Sequence, residues 1–422
     1  MTPPDTGAPG FQKNLGVLDG LALAASSTAV TTTIGVGLGA ITAVVGLQMP
    51  ILLVLAFLPI IGVAIGYSAL NRVETNCGNS YVWVGQTLSP WLGFLSGWFQ
   101  LLATLVFLTY TTAIAGSTII QLLSMAHMHS VAGLDLDANS TFQTTVIGLI
   151  LLVPLTLTAI RGAIVAARLQ RYLLIFEYAV LIGFCVYGLF AGDQPFSWSW
   201  FNPFAIPSLT VLAQGMVVAV FCYWGFEAAF SVNEEVKDPR HASRAGLLTV
   251  VLALGLFVLA AVSFQRVVPH DVLVGSGSTG LAHFGDMLAG QPFAALPVLA
   301  LTRYGLTGLA AAVRFRGTLR SAPAHAVRAV VIPLVSSGVL FALSGYLAWT
   351  WIDGTDHFEF SPDNGWFLLS VPAVMLMSGL AMAAVAKWVR RSPYFILGRG
   401  SDATEIDLSA PSGLTAELAA DR

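Results

Sequence analysis

Two stretches of the chain join reactive groups to a backbone poorly suited to an unbroken helix. Ser26-Ser27-Thr28-Ala29-Val30-Thr31-Thr32-Thr33 strings hydroxyls and β-branched residues together, then continues to Gly35 and Gly37. Phe221-Cys222-Tyr223-Trp224-Gly225-Phe226-Glu227 sets a glycine and a carboxylate inside an apolar run. A helix broken within a membrane exposes N–H and C=O groups that can hold a carboxylate, an ammonium or an ion without importing a full charge. Each stretch also has a plainer reading. Ser and Thr bond the i−4 carbonyl inside ordinary membrane helices, and Gly is common there. Glu227 is the sharper signal, because an ionisable group at depth is costly and marks function. Its alternatives are a buried structural hydrogen bond or a place near the aqueous mouth. Glu177 raises the same question in weaker surroundings. Glu234 and Glu235 stand with Lys237, Asp238 and Arg240 in a solvated cluster expected to order a loop.

Other chemistry finds no constellation. None of the three lysines follows a glycine, so no Walker A loop is present. HExxH and the TVGYG filter are missing, and Cys77, Cys185 and Cys222 form no CxxC pair. His127 and His129 fall in a loop and read as solvated, so no catalytic residue, metal site or enzyme is expected. Lys+Arg 19 against Asp+Glu 22 gives −3, with no basic excess for nucleic acid.

The elements that must position the two stretches follow from composition. Of 422 residues 56% are hydrophobic and 10% charged, against about 25% charged in soluble domains, which predicts an all-α polytopic membrane protein. Gly20–Asn71 carries no Asp, Glu, Lys or Arg. It holds two spans of about 20 residues, split near Gly46–Pro50. Further spans are expected at Trp91–Leu123, Thr144–Ile160, Tyr172–Phe190, Pro207–Phe226, Ala245–Gln265, Pro292–Val313, Ala329–Ile352 and Trp366–Ala386. That makes ten. All of the 19 basic residues except Arg266 and Arg303 then fall on one side, which the positive-inside rule makes cytoplasmic. Both termini are expected there, on a multi-pass protein of the cell membrane. Trp198, Trp200, Trp349, Trp351 and Trp366 are placed at the outer interface. Met1–Gly10 is polar and Pro-rich, unlike a cleavable signal peptide, and the tail from Ser401 is polar and acidic. The two candidate breaks lie in spans one and six, five apart, as a five-helix inverted repeat requires.

At these residues the sequence resembles an amino acid permease of the amino acid–polyamine–organocation superfamily. The strongest likeness is FCYWGFEAAFSVNEEVKDPRHASRAG, Phe221–Gly246, which is similar to the family's sixth helix and following loop. GNSYVWVGQTLSPWLGFLSGW, Gly78–Trp98, resembles the entry to its third helix, and LGVLDGLALAASSTAV its first. Asn79 stands where a second glycine is usual, Val30 where many members have proline, and Ser243 where proline precedes Arg244. The resemblance implies a five-plus-five inverted-repeat transporter fold with two C-terminal helices. It implies an amino acid or amine substrate held between helices one and six. The carboxylate would sit near Ser26, Ser27, Thr28 and Ala29, and the ammonium near the carbonyls of Phe221, Cys222, Tyr223 and Gly225. Trp224 or Tyr110 would gate the site, and Glu227 would orient the broken helix or sense protons. No cofactor is implied; a proton or sodium gradient, or exchange, would drive transport.

Such a fold has twelve helices, two more than the count here. The segments read as a tail over residues 1–13, a first repeat over 14–190, a second over 206–313, two accessory helices over 327–387 and an acidic tail over 388–422. Leu15–Phe190 spans 176 residues and Ile206–Val313 only 108, a shortfall of 68. Pro292–Thr302 resembles the start of the family's eighth helix and Arg303 onward the end of its tenth, so one fused span carries Arg303 near its centre. Either two helices have been lost, or this is a specialised ten-helix variant with Arg303 paired to Glu227 or Glu177. A non-transporting membrane protein, whether a remnant or a partner of an intact permease, is the alternative function.

Overall fold

The computed structural model describes residues 15–269 and 295–396, apart from single positions and short gaps within 126–139, 161–162, 318–322, 354–363 and 391. The expected N-terminal tail, all of the expected C-terminal tail beyond residue 396 and the start of the Pro292 span lie outside the described residues. The chain is an all-α polytopic membrane protein. Its helices are α1 Val17–Thr28, α2 Val30–Val45, α3 Met49–Val73, α4 Asn79–Thr87, α5 Pro90–Met125 and α6 Thr141–Ile160. There follow α7 Ala163–Ala191, α8 Leu209–Phe221, α9 Pro239–Val267, α10 Ala295–Arg314, α11 Ile332–Ile352 and α12 Gly365–Ala384. A two-residue hairpin pairs Ser130–Val131 with Leu134–Asp135.

Among the described residues eight stretches are long and apolar enough to cross a membrane. The other two expected spans are the 20-residue helices α6 and α10. The expected split near Gly46–Pro50 falls at a 3-10 turn, Gly46–Gln48, between α2 and α3. Residues facing outward are large and apolar, such as Phe184 and Phe190 on α7, as a lipid-facing surface requires. Trp200 is buried within the protein and packs edge-on against Phe196.

Small residues bring the inner helices together, which is how membrane helices gain packing without a hydrophobic driving force. Gly20 of α1 faces Ala245 of α9, and a Cβ there would lie 3.1 Å from the Ala245 methyl. Gly66 of α3 meets Ala311 of α10 and Pro333 of α11 in the same manner. Leu15 pairs with Val236 in a single bridge: its N–H donates to Glu235 O (3.1 Å), and Lys237 N–H donates to Leu15 O (3.1 Å). The chain just before α1 is thus tied to the loop after the second candidate break.

That loop is ordered by side chains. Glu234 Oε1 accepts from Cys77 N–H (2.9 Å), and Asn233 Nδ2 donates to Asn71 Oδ1 (2.7 Å). Asn79 Nδ2 donates to Ser231 Oγ (3.0 Å). Glu234 therefore orders a loop, as its cluster predicts. Asn79 has φ +32°, a left-handed conformation that Asn tolerates better than most residues, so it can replace the usual glycine. Burial pushes the Cys77 thiol up from its ordinary value.

Candidate functional site

The first interruption is a single residue. α1 ends at Thr28, Ala29 takes the left-handed conformation (φ 47°, ψ 50°), and α2 resumes at Val30. The expected run of poor helix formers is therefore mostly helical, with Thr31, Thr32 and Thr33 in the first turn of α2. Their β-branched bulk is tolerated because packing sets helix stability in this fold more than propensity does. Thr28 Oγ1 donates to Ala24 O (2.9 Å), and Thr33 Oγ1 donates across the break to Thr28 O (3.2 Å). The plainer back-bonding reading thus holds at Thr28. Ser26 is half-buried and Ser27 exposed. α2 begins with no side-chain cap, so its first-turn N–H groups point into the break. Thr31 Oγ1 is buried beside them without a hydrogen-bond partner among the described residues.

The second interruption is longer. α8 stops at Phe221, four turn residues follow, and a 3-10 turn runs over Phe226–Ala229. Phe221 O accepts from Trp224 N–H (3.0 Å). The carbonyls of Cys222, Tyr223 and Trp224 accept no well-formed backbone bond among the described residues. Gly225 has φ +117°, which only glycine adopts without strain.

The two breaks touch. A Cβ on Gly225 would lie 2.5 Å from the Ser27 carbonyl carbon and 2.6 Å from Thr28 N, so glycine is needed twice over. A Cβ on Gly37 of α2 would lie 3.0 Å from Cys222 Sγ, so α2 also packs against the residues that follow α8. Ser27, Thr28 and Gly225 are thereby brought together, while Cys222 meets Gly37 farther along α2. Tyr223 turns its side chain away: its hydroxyl donates to Leu53 O (2.9 Å) and its ring packs edge-on against Phe257.

Glu227 is 4% exposed and braces the second break. Its carboxylate accepts from Trp224 Nε1 (3.0 Å), Gly225 N–H (3.1 Å) and the Tyr304 hydroxyl (2.6 Å). The sequence places Glu227 in the break but does not reveal Tyr304, which follows Arg303 in α10 and stacks on Phe226 at 5.4 Å. The side chain of Arg303 lies outside the described residues. So does that of Tyr110, the expected gate. Trp224 instead packs edge-on against Phe107, ring centroids 5.3 Å apart. Phe107 lies three residues before Tyr110, so helical spacing could have found it. One turn beyond Tyr304, Thr307 Oγ1 donates to Ser80 Oγ (2.9 Å), which joins Tyr67 in a buried hydroxyl cluster.

The profile described as amino acid permease matches residues 15–315, most of the chain and both breaks. The chain belongs to this family. It is 25% identical over 250 residues to the methylthioribose transporter of Bacillus subtilis (strain 168), covering 57% of this chain and 53% of that one. It is 24% identical over 255 residues to the low-affinity putrescine importer PlaP of Escherichia coli (strain K12), covering 58% and 50%. This amino acid permease family member thus spans about half the length of those relatives. Its match to the family includes α10, where Tyr304 reaches Glu227.

Proposed function

We propose that this family member moves a small amino acid or amine across the cell membrane by alternating access, with both termini cytoplasmic. The observation that carries the reading is the contact of two broken helices at Gly225 and Ser27. Such a pair of breaks offers backbone acceptors on one side and an uncapped helix start on the other, the two polarities a zwitterion needs. In this reading Ser26, Ser27, Thr28 and Ala29 face the carboxylate, and the carbonyls of the Phe221–Gly225 turn face the ammonium. Trp224, backed by Phe107, closes over the site, and Glu227 holds the broken helix in shape. A proton or sodium gradient, or exchange, supplies the driving force. The five-plus-five repeat is supported by two parallel successions, α1–α2 then α3, and α8 with its break then α9. A small-molecule substrate is also in keeping with relatives named for putrescine and for methylthioribose.

Uptake of labelled L-amino acids and of putrescine into proteoliposomes containing the full chain tests the proposal. Uptake above protein-free vesicles, abolished in Gly225→Leu, is expected. The second reading, a non-transporting membrane protein, rests on the second repeat being 68 residues shorter than the first. A correctly inserted chain that neither takes up these solutes nor is stabilised by them would favour it.

A further inference from the structure

α7 buries one narrow stripe, formed by Leu174, Tyr178, Cys185 and Gly188, with Leu181 partly covered between them. The spacing is that of one helix face. Residues to either side, including Phe176, Val180 and Phe184, are exposed as lipid-facing groups. The stripe is apolar except for Tyr178. That side chain is 8% exposed, and its hydroxyl is buried with no hydrogen-bond partner among the described residues. Phenylalanine would fill the same space without stranding an oxygen, so the hydroxyl calls for an explanation.

Two routes give its height in the bundle. At one end, Arg171 Nη1 lies 3.2 Å from Asp19 Oδ1. Seven residues on along α7 is Tyr178, and seven on along α1 is Ser26. At the other end, Gly188 packs against Ser263 of α9, while Gly20 of α1 packs against Ala245. With the Leu15–Val236 pairing just ahead of α1 and α9, these contacts make α1, α7 and α9 run the same way. Ten residues back from Gly188 is Tyr178, and ten back from Ser263 is Ala253. Ala253 lies eight past Ala245, and eight past Gly20 is Thr28. At about 1.5 Å per residue, both routes bring Tyr178 level with the last turn of α1, beside the first break.

Thr31 Oγ1, two residues past Ala29, is a second buried hydroxyl without a partner at this break, and the uncapped start of α2 is the third donor set there. We infer that Tyr178 is a substrate-contacting residue whose phenol donates a hydrogen bond to the substrate's carboxylate, selecting amino acids over amines that lack one. A phenol is a better donor than acceptor, and a bond to a carboxylate is among the stronger hydrogen bonds available. The inference rests on the transporter reading and deepens it by naming the substrate group this side chain reads.

The test uses the full chain in proteoliposomes, with labelled L-alanine, L-leucine, L-arginine and putrescine as probes and each amino acid's methyl ester as competitor. Tyr178→Phe is expected to raise the KM of the best amino acid by about fivefold, with Vmax within about twofold, the worth of one hydrogen bond. It should also narrow the preference for the acid over its methyl ester, and leave the ligand-free unfolding temperature unchanged or raised. Thr31→Val should shift the same preference by less. An unchanged KM and an unchanged acid-to-ester preference in Tyr178→Phe would overturn the inference, as would a loss of stability that accounts for the change. Wild-type uptake of putrescine but of no amino acid would overturn the inference and leave the transporter reading standing. Wild-type protein that takes up none of the probes would overturn both.

Discussion

The break between α1 and α2 turns on one alanine, whereas the break after α8 spreads over four residues and carries a buried carboxylate. At the first, Thr28 and Thr33 satisfy a few carbonyls from within, but the start of α2 has no cap, and Thr31 Oγ1 has no partner among the described residues. At the second, Glu227 gathers an indole, a backbone N–H and a phenol. An opened helix inside an apolar bundle must either satisfy its groups internally or leave them for another molecule. The first break leaves donors open, at the start of α2 and at Thr31 Oγ1. The second leaves turn carbonyls open but ties its indole and Gly225 N–H to Glu227. The second is braced where the first is not.

The braced break should fail hardest when its fit is disturbed. Gly225→Leu forces a side chain into the Ser27–Thr28 peptide and a positive φ on a residue that resists it. We expect loss of uptake and destabilisation on the order of 3 kcal/mol or more, read by proteoliposome uptake and by thermal unfolding in detergent. Ser27→Ala, on the other side of the same contact, should unfold as the parent does. Equal damage from both would erase the distinction. Glu227→Ala comes next, since it strips an acceptor from three donors at once. A stability loss of about 2–4 kcal/mol is expected. Glu227→Gln should recover part of it, because an amide oxygen can still accept from the Gly225 N–H while its NH2 is mismatched to the remaining donors.

Much of this asymmetry could be read in the residues. Hydroxyls and glycines in span one, and Gly225 with Glu227 in span six, pointed to breaks five spans apart, and charge placement marked where helices end. What could not be read was which residue turns the chain. Val30 stands where proline is usual, and nothing local to Ala29 distinguishes it from Ala24 or Ala25; its left-handed backbone follows from where α1 and α2 must each pack. Tyr304 was hidden for a different reason. It is 77 residues from Glu227, on a separate helix. Long-range hydrogen bonds leave no periodicity behind. Asn79 shows the converse: a departure from the family pattern that backbone conformation accounts for.

Tyr304→Phe separates bracing from packing at the second break. The ring keeps its stack on Phe226 while the 2.6 Å bond to Glu227 is lost. Glu227 still accepts from Trp224 and Gly225, so a loss of only about 1 kcal/mol is expected, again by thermal unfolding. A loss as large as that of Glu227→Ala would mean that α10, rather than the carboxylate, holds the break open.

The smallest effect has the opposite sign. In an ordinary membrane helix Ala→Gly weakens the structure, because glycine gives up more backbone freedom on folding. Ala29 sits at φ 47°, where its Cβ meets the following carbonyl at a cost of about 1–2 kcal/mol, and glycine removes that cost. The extra freedom of the unfolded glycine chain returns part of it. Ala29→Gly should therefore raise the unfolding temperature slightly, with a net gain of about 0.5 kcal/mol. Ala25→Gly, one turn earlier in regular α1, should lower it. The two substitutions make the same change four residues apart, so opposite signs follow if the chain turns at Ala29, and a loss of similar size at both would place the turn elsewhere.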